Sequence, residues 1–170
     1  VNIFLTGQPH SGKTTLLAKL LASKTDKYGF VTEEIPDPTE AGKRLGFDVI
    51  DHTGRRANLA HVDSDSPLRV SKYGVNLEAF EAFLDPLFQI PPDKLLYIDE
   101  IGQMELFSDK FKTLVSRYLE SERNFMGTIS MVFDDPFIEK IRDNPNMKVI
   151  EVTPANRGNL LLELGAQYTQ

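Results

Sequence analysis

The stretch that most restricts this chain is Gly7-Gln8-Pro9-His10-Ser11-Gly12-Lys13-Thr14, which satisfies G-x-x-x-x-G-K-S/T at every constrained position. Its neighbours are as telling as the match. Asn2 to Thr6 is a short apolar run that reads as a buried strand, and from Lys13 to Ser23 the side chains of Leu16, Leu17, Leu20 and Leu21 recur at helical spacing. A strand that turns through a glycine-punctuated loop into a helix aims successive N–H groups at one point, where the helix dipole also favours an anion. The turn therefore predicts a phosphate-binding loop over Gly7, Gln8, Pro9, His10, Ser11, Gly12, Lys13 and Thr14. Gly7 and Gly12 permit backbone that a Cβ would forbid. Lys13 supplies a mobile charge for β- and γ-phosphates, and Thr14 offers a hydroxyl to Mg²⁺. Thr15 either reaches the α-phosphate or packs. His10 stands at a free position and is expected at the surface, as is Lys13 at the helix start.

Leu95-Leu96-Tyr97-Ile98-Asp99-Glu100 is an apolar strand ending in two carboxylates. Ligands of open α/β sheets sit at the carboxyl ends of strands. Beside a phosphate loop, Asp99 is expected to hold the Mg²⁺ shell with Thr14, and Glu100 to orient and deprotonate an attacking water. Asp99-Glu100-Ile101-Gly102 also fits D-x-x-G, a feature of GTP-binding switches, but no N-K-x-D occurs late in the chain. Ile101 and Gly102 are placed at the nucleotide, with the Gly102 N–H toward the γ-phosphate. Thr128 or Ser130 is a candidate to hydrogen-bond the water, if their strand lies between the phosphate-loop strand and the acidic one. Arg44, Arg55, Arg56, Arg69 and Arg157 are candidate charge stabilisers, none marked by sequence as the one. Asn156 and Arg157 are placed to touch the base.

Elsewhere, Phe30 to Thr32 reads as a strand and residues 34–45, with Pro36, Pro38 and Gly42, as a loop. Phe47 to Asp51 and Asn58 to Val62 flank Thr53-Gly54-Arg55 as an antiparallel hairpin, followed by a polar connection over 63–72. Helices are expected around Leu77–Leu87, Phe107–Tyr118, Phe137–Arg142 and Asn156–Leu164, and strands over Phe125–Met131 and Lys148–Val152. This alternation predicts an α/β fold of P-loop type, with a mostly parallel sheet, helices on both faces and the antiparallel hairpin inserted at one edge. Residues 1–170 are expected to form one such domain.

Several classes are set aside by composition. No cysteine occurs, which removes disulfides, thiolate metal sites and a catalytic thiol. No apolar run has membrane-spanning length, and the first residues lack the pattern of a signal peptide. The expected location is cytoplasmic. The net charge of −6 and the lack of a basic stripe make nucleic acid an unexpected partner. Protein partners are not encoded in any pattern found.

Taken together, these residues resemble the small nucleoside-triphosphatase family typified by thermophile enzymes and by the cancer-related nucleoside-triphosphatase of higher organisms. The likeness runs through Gly7–Thr14, Gly29–Glu34, Gly42–Phe47, Lys72–Val75, Asp99–Ser108 and Val152–Arg157. The run from Asp99 to Ser108 and the Gly-x-Arg-x-Gly-Phe segment are its most specific parts. The resemblance implies a RecA-like core sheet and Mg²⁺-dependent hydrolysis of ATP, GTP, CTP and UTP with weak base selectivity. The family usually has lysine where Gln103 stands here, a change that leaves the water- and phosphate-binding residues intact. Two other functions compete: a phosphotransferase with residues 34–72 as a lid over a second substrate, and a nucleotide-switched binding module. Glu100 weighs against the first, because a kinase excludes water.

Overall fold

The computed structural model describes residues 2–131 and 133–168. Its strands are β1 (Asn2–Gly7), β2 (Lys27–Pro36), β3 (Arg44–Asp51), β4 (Arg56–His61), β5 (Arg69–Val70), β6 (Tyr73–Val75), β7 (Leu95–Ile101), β8 (Phe125–Ser130) and β9 (Lys148–Glu151). The α-helices are α1 (Lys13–Ala22), α2 (Leu77–Leu84), α3 (Asp109–Leu119), α4 (Pro136–Arg142) and α5 (Arg157–Tyr168). All the strands belong to one sheet, in the order β5-β6-β4-β3-β2-β7-β8-β1-β9. Between β2 and β9 every pairing is parallel. Strand β8 lies between β1 and β7, the RecA-like placement the resemblance implies.

The parallel strands are buried on both faces, and so read as continuous apolar runs. In β1, Ile3 and Leu5 face one core while Phe4 faces the other; in β7, Leu95 and Tyr97 alternate with Leu96 and Ile98 in the same way. Helices α1 and α5 cover the first face through Leu16, Leu17, Leu20, Leu21 and Leu164. Helices α2, α3 and α4 cover the second with Phe80, Phe83, Phe111, Leu114, Tyr118, Ile138 and Ile141. No helix among the described residues is long and apolar enough to cross a membrane.

The antiparallel part is larger than the expected hairpin. Residues 34–36, read as loop from their prolines, continue β2, and the segment from Arg44 already belongs to β3. Pro36 is tolerated because it ends the strand at a register shift. Strands β5 and β6 form within and just after the expected polar connection, adding a further antiparallel pair beyond β4. Strand β2 pairs with β7 only from Lys27 to Val31, so Thr32–Pro36 run past the parallel sheet and pair with β3 alone. This overrun stands β3, β4, β5 and β6 as a wing beside the carboxyl edge of the sheet.

Candidate functional site

The phosphate loop sits where β1 meets α1. A Cβ on Gly7 would lie 2.6 Å from the Val152 carbonyl oxygen, so the close approach to the strand edge requires glycine. Gly12 caps α1 in the left-handed region, at φ 101°. His10 is at the surface as expected, and Thr15 is exposed. Ser11 is buried beneath the loop. Lys13 departs from expectation: its side chain is only 11% exposed. Rather than extending into solvent, it turns back under the loop. There its Nζ donates to the Gly7 carbonyl at 3.4 Å and pairs with Glu100 Oε2 at 3.3 Å.

Strand β7 extends through the acidic pair to Ile101, and Asp99 is buried. Asp99 Oδ1 accepts hydrogen bonds from Thr14 Oγ1 at 3.2 Å and from Thr128 Oγ1 at 2.6 Å. Thr128 is fully buried, and its hydroxyl is spent on this carboxylate, which it orients. Ser130, at the end of β8, lines the cavity in front of the loop. Burial raises the Asp99 carboxyl above the usual range, opposed by the two threonines and Lys13. Burial also raises Glu100, opposed by Lys13 and reinforced by Asp99. Glu100 keeps 38% of its side chain exposed, enough to meet a water.

Mg²⁺ takes hard oxygen ligands in an octahedron and keeps several waters or phosphate oxygens. Adjacent ligands about 2.1 Å from such an ion stand about 3.0 Å apart. The Thr14 and Asp99 oxygens are 3.2 Å apart, so they fit two neighbouring corners. No group of three or more acidic or histidine side chains that could hold a metal occurs among the described residues.

Glu105 was given no role by the sequence. It lies on a 3-10 turn, Glu105–Phe107, is only 4% exposed and accepts the Gly102 N–H at 3.0 Å. That N–H, expected at the γ-phosphate, is thus engaged within the loop. Burial pushes the Glu105 carboxyl up to about 8, with Glu100 and Asp99 adding to the effect. A carboxylate between Met104 and Leu106 was the only sequence signal.

The arginines separate clearly. Arg55 donates to Asp51 and to the Phe83 carbonyl and lies over the Phe83 ring, tying the hairpin to α2. Burial pushes the Asp51 carboxyl up, but hydrogen bonds from Thr53 and Arg55 overcome this and hold it low. Arg56 pairs with Glu33 and Asp48, and Arg69 donates to the Ser64 and Lys72 carbonyls. Arg44 lines the cavity, and Arg157 lies across the start of α1, so near that a Cβ on Gly12 would be 3.1 Å from its Cδ. Asn156 holds the turn that presents Arg157 through bonds with Thr153 and the Glu151 carbonyl. The cavity, of about 730 Å³, runs from Gly7, Lys13 and Thr14 past Asp99 and Glu100 to the wing.

The chain is similar to known proteins in both sequence and fold. The sequence model of a family described as NTPase matches residues 2–164. The nucleoside-triphosphatase THEP1 of Thermotoga sp. (strain RQ2) is 41% identical over 168 residues, covering 96% of this chain and 93% of that one. The human cancer-related nucleoside-triphosphatase is 36% identical, covering 96% and 94%. The crystal structure of THEP1 from Aquifex aeolicus superposes with a TM-score of 0.86 at 32% identity over 100% of both chains. The solution structure of a human cancer-related nucleoside triphosphatase gives 0.78 at 35% identity, covering 98% and 96%.

Proposed function

The chain belongs to this NTPase family, and on that premise we propose that it hydrolyses nucleoside 5′-triphosphates to the diphosphate and phosphate with Mg²⁺. The observation that carries the reading is the convergence of Lys13, Thr14, Asp99 and Glu100, with Thr14 on Asp99 at 3.2 Å and Lys13 on Glu100 at 3.3 Å.

The triphosphate lies on the N–H groups of the loop. Lys13 leaves Glu100 for the β- and γ-phosphate oxygens, and this frees the carboxylate. Thr14 and Asp99 would hold Mg²⁺, which supplies charge neutralisation at the β- and γ-phosphates. Glu100 orients a water and takes its proton as the water oxygen bonds to the γ-phosphorus. The bond from that phosphorus to the bridging oxygen breaks, and the diphosphate leaves with the electron pair. Thr128 keeps Asp99 aimed at Thr14 and Glu105 keeps the Gly102 turn in place.

Base selectivity is weak in this reading. Arg157, across the start of α1, offers a guanidinium plane on which any base can stack, and stacking reads a π-face without reading an edge. Phosphate release measured with ATP, GTP, CTP and UTP, with no acceptor added, tests the proposal. The expected rates agree within about tenfold, roughly 1.4 kcal/mol. No release with any of the four, despite tight binding, would reject it.

A further inference from the structure

A hydrolase needs room for a triphosphate and a water, but the cavity continues past both. In the sheet order, β7 with Asp99 and Glu100 stands two strands from β1 and two strands from β3. Each step is about 4.8 Å, so the wing end lies about 10 Å beyond the carboxylates, on the side away from the phosphate loop. In the binding mode proposed above, the base is directed the other way, toward Arg157 and β9. One triphosphate therefore leaves the wing end of the cavity unfilled.

The chemistry of that end is specific. Lys43, Arg44 and Lys72 line it beside Glu34; Arg44 pairs with Glu34 and Lys43 with the neighbouring Glu40, each at 2.8 Å. Three cations against two exposed carboxylates leave a net positive charge, which favours an anionic ligand. Between them stand two rings, Phe47 and Tyr73, packed edge to face with centroids 5.1 Å apart. The Arg44 guanidinium lies 5.3 Å from the Phe47 centroid and the Lys72 ammonium 5.5 Å from that of Tyr73. The half-buried Phe47 ring and the Arg44 guanidinium over it suit a planar base, while the lysines at the mouth suit a phosphate.

We infer that the wing end of the cavity is a second ligand site, built for a nucleoside monophosphate bound beyond the γ-phosphate of the triphosphate. The inference rests on the phosphate loop as the triphosphate site. Bound there, the ligand shares Glu100 as a neighbour with the hydrolytic water.

The test is equilibrium binding of AMP, GMP, CMP and UMP to the chain already saturated with Mg²⁺ and a non-hydrolysable triphosphate analogue. At least one monophosphate is expected to bind, one per chain, without displacing the analogue. The double variant Lys43→Ala, Lys72→Ala changes only exposed side chains. It is expected to weaken that monophosphate at least tenfold and leave the analogue unaffected. Binding of no monophosphate, displacement of the analogue, or an unchanged affinity in the double variant would each overturn the inference. So would much tighter binding of a 5′-phosphorylated trinucleotide, which would assign the wing to a nucleic-acid end. Lys13→Ala separates the two readings: it is expected to weaken the analogue at least about tenfold and keep the monophosphate. If Lys13→Ala keeps the analogue, the phosphate-loop reading fails while the second site stands.

Discussion

At the scale of single residues, two side chains carry more than their sequence positions suggest. The sequence predicts Lys13 as a phosphate ligand but does not reveal a buried cation, because nothing local says that its stem will fold under Gly7 to meet a carboxylate 87 positions later. Its replacement by alanine leaves Glu100 half-exposed and hydrated, so the chain is expected to stay folded. A hydrogen bond to a charged group contributes about 1.5–3 kcal/mol, so triphosphate affinity should fall about 10- to 150-fold. Titration calorimetry on the folded variant checks this, and wild-type affinity would refute it. Glu105 was not legible at all. Its folded value of about 8 lies above the ordinary 4.5, so the native state binds more protons than the unfolded chain between those values. Its contribution to stability is complete below about pH 4.5 and is lost as pH rises through about 8. Glu105→Gln keeps an acceptor for the Gly102 N–H and removes the titration. Thermal melts from pH 5 to 9 are expected to show a flatter profile for the variant, with higher stability than wild type at the alkaline end. Parallel profiles would mean that Glu105 does not titrate in this range.

At the scale of elements, strands buried on both faces and amphipathic helices were readable because their periodicity is local. The phosphate loop, the acidic strand and α3 all follow from such patterns. The wing did not, because its pieces are held by partners far along the chain. Phe47 and Tyr73 share one wall only because β3, β4 and β6 pair in series, and prolines made Ile35 and Pro36 look like loop. The join between wing and core is Gly29, where β2 runs against β7 at φ 146°. A Cβ there would stand 1.9 Å from the Tyr97 carbonyl oxygen, so Gly29→Ala must push the two strands apart. The expected cost is at least about 2 kcal/mol, or a fall in Tm of roughly 4–8 °C for a chain of this size. An unchanged melting temperature would show that the junction gives way freely.

At the scale of the molecule, the sheet arranges one continuous cavity, with the phosphate loop at one end, the wing at the other and the acidic pair between them. Binding and chemistry are divided within it. In the proposed mechanism the loop, Thr14 and Asp99 hold nucleotide and metal, whereas Glu100, which pairs with Lys13 in this structure, activates the water. That division is the central claim, and it is separable by one isosteric change. Glu100→Gln keeps size and shape, removes the base and releases Lys13 from its ion pair. Single-turnover hydrolysis is expected to fall by about 10²- to 10⁴-fold, the usual worth of a general base, while Mg²⁺-nucleotide binds as tightly as before or slightly more so. A variant that hydrolyses at a near wild-type rate would contradict the account and reduce Glu100 to a residue at the end of a strand.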